Sequence, residues 1–506
     1  MQALKLAGAA INGSPNLVAP LVGGAKRKKE LGQFLTPPSI AAFMASLFKS
    51  VPAEVRLLDA GAGDGALTHA LVNEICSRPH RPEKIAVSAY ELDAAIIPRL
   101  EHTLARCRTE CHQMKIEFRA DSHNEDFIEA AASLVRRDLF GDSQTPFNAA
   151  ILNPPYRKIN SISHTRRLLR HAGIETSNLY TGFLALAAKL LEENGEMVAI
   201  CPRSFCNGPY FRPFRQQFLQ TISLRRLHVF ESRSAAFERD DVLQENIILH
   251  AVKSRRKPES IIISISSGKS GSDIVERSCA YTDTVSPQDP DFFIHLVAAD
   301  TDQDVRRTMS RFTTSLEDLE LEVSTGRVVE FRAKQFILKQ PTDASVPLIY
   351  PCHFDAGFIS WPNHSGRKPN AIRDIERTQE LLVANGTYVL TKRFTTKEER
   401  RRVVASIYDP QRVRAERVGF ENHLNYFHAM GRGLSVDLAK GLAAYLNSTV
   451  VDLYFRQFNG HTQVNAADLR KLNYPSRNQL ESLGRRIGHT FPDQAELDAL
   501  IGREFN

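Results

Sequence analysis

Four consecutive residues, Asn153-Pro154-Pro155-Tyr156, carry groups suited to binding a planar amino group. They follow the apolar run at 147–152, which predicts a buried strand that stops abruptly at the asparagine. Open α/β sheets carry their chemistry at the carboxyl ends of such strands. The Asn153 amide oxygen and the Pro154 carbonyl can accept both N–H bonds of one amino group and so localise its lone pair. The prolines fix the turn, and Tyr156 offers a flat face for stacking.

Taken alone, these four residues also fit a strand that simply ends in a proline turn, so the surrounding pattern has to decide. Upstream, the strand-like run 55–59 ends at Asp59 and leads into a turn that contains Gly61, Gly63 and Gly65. Glycines at such a turn let a ligand approach the backbone. A dinucleotide is the rival ligand, but the Asp59 carboxylate suits an amino group better than a pyrophosphate, which it would repel.

Two further acids follow predicted strands. The second strand, at 85–90, ends before Glu91, and a carboxylate there can accept from both hydroxyls of a ribose. The third, at 116–119, leads to Asp121, which can accept from the exocyclic amine of an adenine. Near the start of the chain, Thr36 is predicted to cap a helix that begins at Pro37 and Pro38, placed to act as a lid over a cofactor.

Composition limits the class of protein. The chain has 506 residues, 42% hydrophobic and 24% charged, which is ordinary for a globular protein of two or three domains. No membrane segment is visible, and seven dispersed cysteines fit a reduced intracellular protein. Cys107, Cys111 and His112 lack a second ligand pair, so we expect no metal. A net charge of +7 suits a polyanionic partner without requiring one.

In their order along the chain, these motifs resemble those of the gamma-class, TaqI-like, S-adenosylmethionine-dependent N6-adenine DNA methyltransferases. The resemblance includes Gly32-Gln33-Phe34-Leu35-Thr36-Pro37-Pro38 and continues through Asn178-Leu179-Tyr180 and Gly195-Glu196. It implies an α/β fold, with a Rossmann-like class I methyltransferase domain followed by a mixed α/β target recognition domain. We expect the catalytic domain at 26–270, the recognition domain at 271–506, and a poorly ordered segment at 1–25.

The resemblance also implies roles for individual residues. It assigns S-adenosyl-L-methionine to Thr36, Pro37, Asp59, Gly61, Gly63, Glu91 and Asp121, with the first two enclosing its methionine end. It assigns the reacting adenine to Asn153, Pro154, Pro155 and Tyr156, with Phe237 on the opposite face of the base. The base would have to be flipped out of the duplex to reach them.

The second half of the chain shows the features of a DNA-reading surface. Basic and aromatic residues alternate from about residue 300, after a predicted helix at 304–321. Leu446-Asn447-Ser448 and the loop Gly460 to Asn465 resemble the specificity domain of the same family. The overall length and motif style resemble the PstI/BsuBI-type modification enzymes, which implies the target CTGCAG.

We therefore expect a restriction-modification enzyme that methylates adenine N6 in double-stranded DNA, protecting the site from a separate cognate endonuclease. We expect a monomer in the bacterial cytoplasm, with no membrane partner. The same four-residue motif also serves protein glutamine methyltransferases and rRNA adenine methyltransferases, so these remain alternatives. The large basic second half argues against the former. A DNA-binding specificity module without activity is a further alternative of another class.

Overall fold

The computed structural model describes residues 36–139, 146–230, 246–266, 274–296, 300–364, 366–395, 399–458 and 463–505. The segment expected to be poorly ordered, at 1–25, lies outside the described residues, and so does Phe237. Across these ranges, no helix is both long enough and apolar enough to cross a bilayer.

A nine-stranded sheet organises the first unit, in the order β3-β2-β1-β4-β5-β7-β6-β8-β9. Strands β1 to β5 are parallel, and β7 runs antiparallel to both of its neighbours. The order reverses between β1 and β4, which is the switch point of a doubly wound sheet. The strands are β1 (Glu54–Ala60), β2 (Lys84–Tyr90), β3 (Glu117–His123), β4 (Phe147–Leu152), β5 (Leu191–Pro202), β6 (Ile222–Phe230), β7 (Asn246–Lys253), β8 (Ser260–Ser266) and β9 (Val275–Ala280). The expected Rossmann-like α/β class is confirmed.

Helices cover both faces of this sheet, so its central strands are apolar on both sides. In β4, Ala149 and Ile151 face one hydrophobic core, formed with α1 to α3, while Ala150 and Leu152 face the other, formed mainly with α4, α6 and α7. The helices are α1 (Pro38–Ser46), α2 (Ala66–Ser77), α3 (Ile97–Gln113), α4 (Phe127–Leu139), α5 (His164–His171), α6 (Leu179–Leu190), α7 (Arg212–Thr221) and the short α8 (Tyr281–Thr284).

Three sequence-based boundaries need correction. Strand β9 pairs with β8, so the domain boundary expected at 270 falls inside the first sheet, and the first unit continues to Leu296, which packs in its core. Strand β3 runs through to His123, so Asp121 lies within the strand rather than after it. The helix predicted at 304–321 is α9 (Asp300–Ser310), and the apolar residues beyond it enter the second core without helical structure.

The second unit contains two smaller sheets with helices packed against them. The six-stranded sheet has the order β10-β20-β17-β18-β14-β13, and the five-stranded sheet the order β11-β15-β12-β19-β16. The strands are β10 (Glu322–Thr325), β11 (Ile337–Leu338), β12 (Ser345–Ile349), β13 (Phe354–Asp355), β14 (Phe358–Ile359), β15 (Ala371–Arg373), β16 (Leu382–Ala384), β17 (Tyr388–Lys392), β18 (Ala405–Tyr408), β19 (Arg417–Phe420) and β20 (Leu424–His428). The helices after α9 are α10 (Glu330–Ala333), α11 (Val436–Asn447), α12 (Thr449–Phe458), α13 (Ala466–Arg470), α14 (Arg477–Arg485) and α15 (Gln494–Phe505).

The two units meet close to the end of β5. The guanidinium of Arg203, one residue beyond β5, donates to the carbonyls of Arg456 at 2.7 Å and Gln457 at 2.8 Å, at the end of α12. The Lys471 ammonium forms a 2.8 Å ion pair with Asp291. These contacts tie the last turn of α12 to the edge of the sheet at which β4 also ends.

Candidate active site

The carboxyl ends of β1 to β4 lie in one row. Ala60, Tyr90 and His123 are register partners across β1, β2 and β3, and Ala60 also pairs with Leu152 of β4. The glycine turn, Glu91 and Asn153 each follow directly after one of these strands, so the topology brings three separate sequence motifs to one edge.

Asn153 is held by two hydroxyl groups. Its amide nitrogen donates to Thr36 Oγ1 at 3.0 Å, and its amide oxygen accepts from the Tyr156 hydroxyl at 3.2 Å. The first bond joins two motifs that are 117 residues apart. In this arrangement the amide oxygen faces Tyr156 and the amide nitrogen faces Thr36.

The expected capping role of Thr36 is wrong. Helix α1 begins at Pro38 with Pro37 as its N-cap, and no side chain caps it. Because the two prolines start the helix with a preset φ, the chain just before it is steered across the carboxyl edge of β4. The Thr36 hydroxyl is thereby placed against the catalytic motif.

Tyr156 lies half-buried against the core, and its ring meets Tyr180 edge-on at 6.4 Å between centroids. The Tyr180 hydroxyl is in turn hydrogen-bonded to Ser204 Oγ at 2.8 Å. Burial raises the pKa of the Tyr156 phenol well above its ordinary value. The phenol is therefore neutral at physiological pH and is a hydrogen-bond donor to Asn153.

The glycine turn after β1 needs backbone conformations that other residues rarely adopt. Gly61, Gly63 and Gly65 have φ values of +79°, +57° and +82°. The amides of Gly61 and Ala62 both donate to the Tyr90 carbonyl, at 3.0 and 2.8 Å, which locks the turn to the end of β2. The sequence-based reading of these glycines as turn-forming is consistent with this geometry.

Asp59 is fully buried just before this turn. One carboxylate oxygen accepts from Thr68 at 2.6 Å, and the other has no hydrogen-bond partner in the part of the chain that the structure describes. Burial raises the pKa of Asp59 to about 7, although the Thr68 bond opposes this shift. A buried carboxylate with one unused oxygen has a strong preference for a cationic or amino partner.

Glu91 and Asp121 differ in their surroundings. The Glu91 carboxylate is buried and accepts from the amides of Gly63 at 2.9 Å and Asp93 at 2.7 Å. Asp121 is exposed and lies two residues before the end of β3, opposite Ser88 of β2. The structure thus brings Thr36, Asp59, Glu91 and Asn153 to the same edge, with Asp121 set back from it.

Several neighbours of the site carry no sequence motif that reveals them. Thr68, on the first turn of α2, binds the Asp59 carboxylate, and Asn124 donates to the carbonyls of Glu91 and Leu92. Phe183 of α6 packs close to Gly61, and its ring lies tilted against that of Phe127, with 4.9 Å between centroids. A helical apolar residue such as Phe183 is indistinguishable in sequence from an ordinary core residue.

The family motif in the second unit has a structural role. The Asn447 amide is buried and spans the backbone of Ala405 in β18, accepting from its N–H at 3.0 Å and donating to its C=O at 2.9 Å. Asn465 is the N-cap of α13, and its backbone N–H donates to the Asp468 carboxylate at 2.9 Å. Residues 459–462 of the motif lie outside the described residues. Asn447 thus holds the end of α11 against β18, and Asn465 fixes the start of α13.

Comparison with known proteins decides the family. The chain is 43% identical over 478 residues to the type II methyltransferase M.PstI of Providencia stuartii, a match that covers 94% of this chain and 93% of the relative. It is 45% identical over 481 residues to the type II methyltransferase M.BsuBI of Bacillus subtilis, covering 94% of both chains. The chain belongs to the type II methyltransferases.

The chain also matches a family model and a solved structure. Residues 84–237 match the family model described as Eco57I restriction-modification methylase. Among solved structures, the type IIG restriction endonuclease BpuSI is similar at 13% identity and a TM-score of 0.45, over 95% of this chain and 64% of that chain. As a type II methyltransferase, the protein is a DNA methyltransferase of a restriction-modification system, and its methyl donor is S-adenosyl-L-methionine.

The residues present fit that methyl donor. Its amino group is a suitable partner for the unused oxygen of buried Asp59, and a carboxylate such as that of Glu91 is a suitable acceptor for ribose hydroxyls. The glycine turn removes side chains from the backbone between these two acids.

Proposed function

We propose that this methyltransferase modifies N6 of adenine within a short duplex site. The observation that carries the proposal is the Asn153 amide, held by Thr36 and Tyr156 at the carboxyl edge beside the glycine turn. The adenine amino nitrogen is a poor nucleophile because its lone pair is delocalised into the ring. Asn153 Oδ1 and the Pro154 carbonyl are two acceptors for its N–H bonds, and binding both localises the lone pair on nitrogen.

The other assigned residues hold the reactants. S-adenosyl-L-methionine supplies a methyl group on a positively charged sulfur. Asp59 binds its amino group, Glu91 its ribose, and Asp121 its adenine, with Gly61 and Gly63 leaving room along the backbone. Thr36 and Pro37 enclose the methionine end, while Pro155 keeps the motif rigid. Tyr156 stacks on the flipped adenine, and Phe237 contacts its other side.

We further propose that the second unit reads the DNA sequence. The contact of Arg203 with the carbonyls of Arg456 and Gln457 supports this, because it holds the end of α12 beside the end of β5. The target proposed from the resemblance is CTGCAG. We propose that the enzyme acts as a monomer in the bacterial cytoplasm, one strand at a time, and that a separate endonuclease cleaves the unmodified site.

A methyl-transfer assay tests the proposal. The purified protein is incubated with tritiated methyl donor and a duplex containing CTGCAG, in competition with RNA and with a release factor. We expect label in the duplex alone, recovered as N6-methyladenine after digestion to nucleosides. Label in cytosine, in RNA or in the release factor would overturn the proposal. Sequencing for modified bases in DNA from cells expressing the protein then identifies the site, and a different sequence would remove CTGCAG alone.

A further inference from the structure

Phe394 is an exposed aromatic residue on a backbone that is held by hydrogen bonds on both sides. It lies just beyond β17, and 43% of its surface is exposed, whereas the strand before it is almost entirely buried. The preceding residue is pinned on both sides, since Arg393 N–H donates to His423 at 2.9 Å and its carbonyl accepts from Val464 at 2.7 Å. Phe394 itself bridges Gln463 in antiparallel fashion. An exposed ring on such a support loses little conformational freedom when it binds a partner.

The ring has polar and cationic neighbours rather than an apolar patch. The His423 imidazole lies 4.9 Å from it, tilted by 47°, and the Arg393 guanidinium lies 5.8 Å from its centroid. His423 is oriented by the buried carboxylate of Glu421. This carboxylate accepts from the backbone N–H of His423 at 2.9 Å and is hydrogen-bonded to the imidazole Nδ1. An aromatic face flanked by a second ring and a cation is what single bases and the phosphates beside them recognise.

The cluster of Phe394, His423 and Arg393 lies near the catalytic edge. Gln463, which pairs with Phe394, is six residues beyond Gln457, whose carbonyl is bonded to Arg203 at the end of β5. Six residues span at most about 20 Å. About six base pairs rise by the same distance, so Gln463 lies within the length of one six-base-pair site from the Arg203 contact at the end of β5.

We propose that this cluster is a base-stacking platform, and that Phe394, supported by His423, stacks on a base displaced from the helical stack of the bound duplex at the recognition site. The inference rests on the proposed function, because it requires duplex DNA as the substrate. Arg393 contributes charge to the adjacent backbone. Since stacking is tolerant of base identity, Phe394 adds affinity and holds the DNA in register more than it reads one particular base.

The chain offers a matched control. Phe331, on α10, is 76% exposed and has the Arg332 guanidinium 5.5 Å from its ring centroid, so it is also an exposed phenylalanine beside an arginine. Within the described residues, no histidine ring packs against Phe331 as His423 packs against Phe394. Phe394→Ala and Phe331→Ala therefore remove the same side-chain atoms from two different places on the surface.

Binding of a CTGCAG duplex by the full-length variants tests the platform. We expect Phe394→Ala to weaken binding roughly 5- to 150-fold, the range for one stacked base, while Phe331→Ala stays within about twofold of the wild type. The dependence of log affinity on log salt should keep its slope in Phe394→Ala, because no ion pair is removed. Unchanged thermal unfolding of both variants shows that the fold is intact.

Phe394→Trp provides a direct optical measurement, since the chain contains a single tryptophan, Trp361. We expect this variant to restore affinity and its additional emission to be quenched by DNA. The platform is refuted if Phe394→Ala binds the duplex as tightly as Phe331→Ala does, or if the emission of the new tryptophan does not change when DNA is added. Wild type and Phe331→Ala methylate the duplex in either case if the proposed function holds, so failure of the platform is distinguishable from failure of the function.

Discussion

The carboxyl edge of the first sheet and the junction of α11 with β18 each present an asparagine from a recognisable motif. Asn153 is partly exposed, and the partners described for its amide are two side-chain hydroxyls that can rotate away. Asn447 is buried, and both of its amide atoms bind the backbone of Ala405. The same side chain is therefore accessible to a ligand in one unit and committed to the backbone in the other.

This difference shows that an asparagine in a recognisable motif does not by itself mark a functional site. Backbone partners cannot leave without opening a strand, so the Asn447 amide is committed to holding α11 on the six-stranded sheet. Hydroxyl partners can be exchanged for a ligand at little cost. The first two predictions separate the two asparagines by asking whether rate or stability changes.

The largest effect is expected for Asn153→Ala. Removing one preorganised acceptor from a developing charge costs about 10²- to 10³-fold in kcat. Binding of S-adenosyl-L-methionine, measured by calorimetry, and the free energy of unfolding should stay close to wild type. Asn178→Ala is the control, because that amide bonds the adjacent Ser177 side chain at 3.2 Å. A normal rate of methylation by Asn153→Ala would contradict the catalytic role proposed for Asn153.

The reverse pattern is expected for Asn447→Ala. The change leaves the N–H and C=O of Ala405 unpaired in the core, at a cost of about 2–4 kcal/mol in the free energy of unfolding. Denaturant titration measures this loss, with the exposed Asn473→Ala expected within about 0.5 kcal/mol of wild type. The kcat of the folded fraction should be nearly unchanged. A large loss of kcat without a loss of stability would instead place Asn447 in the DNA-reading surface.

The first unit was largely readable from sequence because its elements are local and periodic. Strand β4 has the predicted bounds, and Asn153 follows it as expected. The errors came from tertiary contacts. Pairing with β2 extends β3 past Asp121, and pairing with β8 keeps β9 in the first sheet beyond the expected boundary at 270.

The second unit was less readable because many of its strands are two to five residues long and pair across large separations. Such strands have too few residues to show alternation. Likewise, no local pattern signals that Thr36 reaches Asn153, since a hydroxyl two residues before a proline-initiated helix is expected to cap it. The roles assigned to individual site residues remain predictions.

A medium effect is expected from pH. Because burial raises the pKa of Asp59 to about 7, above its unfolded value near 3.8, the folded state holds more protons between these values. The stability that this group contributes is therefore present below about pH 4 and is lost as pH rises through 7. Asp59→Asn should remove that loss, on the order of 2 kcal/mol after relaxation around the buried group.

Unfolding of wild type and Asp59→Asn at pH 5 and pH 8, without cofactor, measures this difference. We expect the stability of the variant to rise relative to wild type between pH 5 and pH 8. We expect the variant to bind S-adenosyl-L-methionine more weakly at pH 8, where wild-type Asp59 is charged, and the difference to shrink at pH 5, where Asp59 is mostly protonated. A constant difference in stability between the two pH values would show that Asp59 does not titrate in this range. The carboxyl edge would then differ from the Asn447 junction in a second respect, because buried Asp59 lowers the free energy of unfolding as pH rises, whereas Asn447 raises it.

The smallest effect is expected at Thr36. Thr36→Val keeps the shape but removes the acceptor for the Asn153 amide nitrogen, so the amide loses its fixed orientation. One neutral hydrogen bond is worth about 0.5–1.5 kcal/mol, which corresponds to a roughly 2- to 10-fold lower kcat. Thr36→Ser should restore the rate, and Thr181→Val, which removes a buried hydroxyl in α6, should leave it unchanged. If Thr36→Val raised the KM for the methyl donor at constant kcat, Thr36 would bind the cofactor rather than orient the catalytic amide.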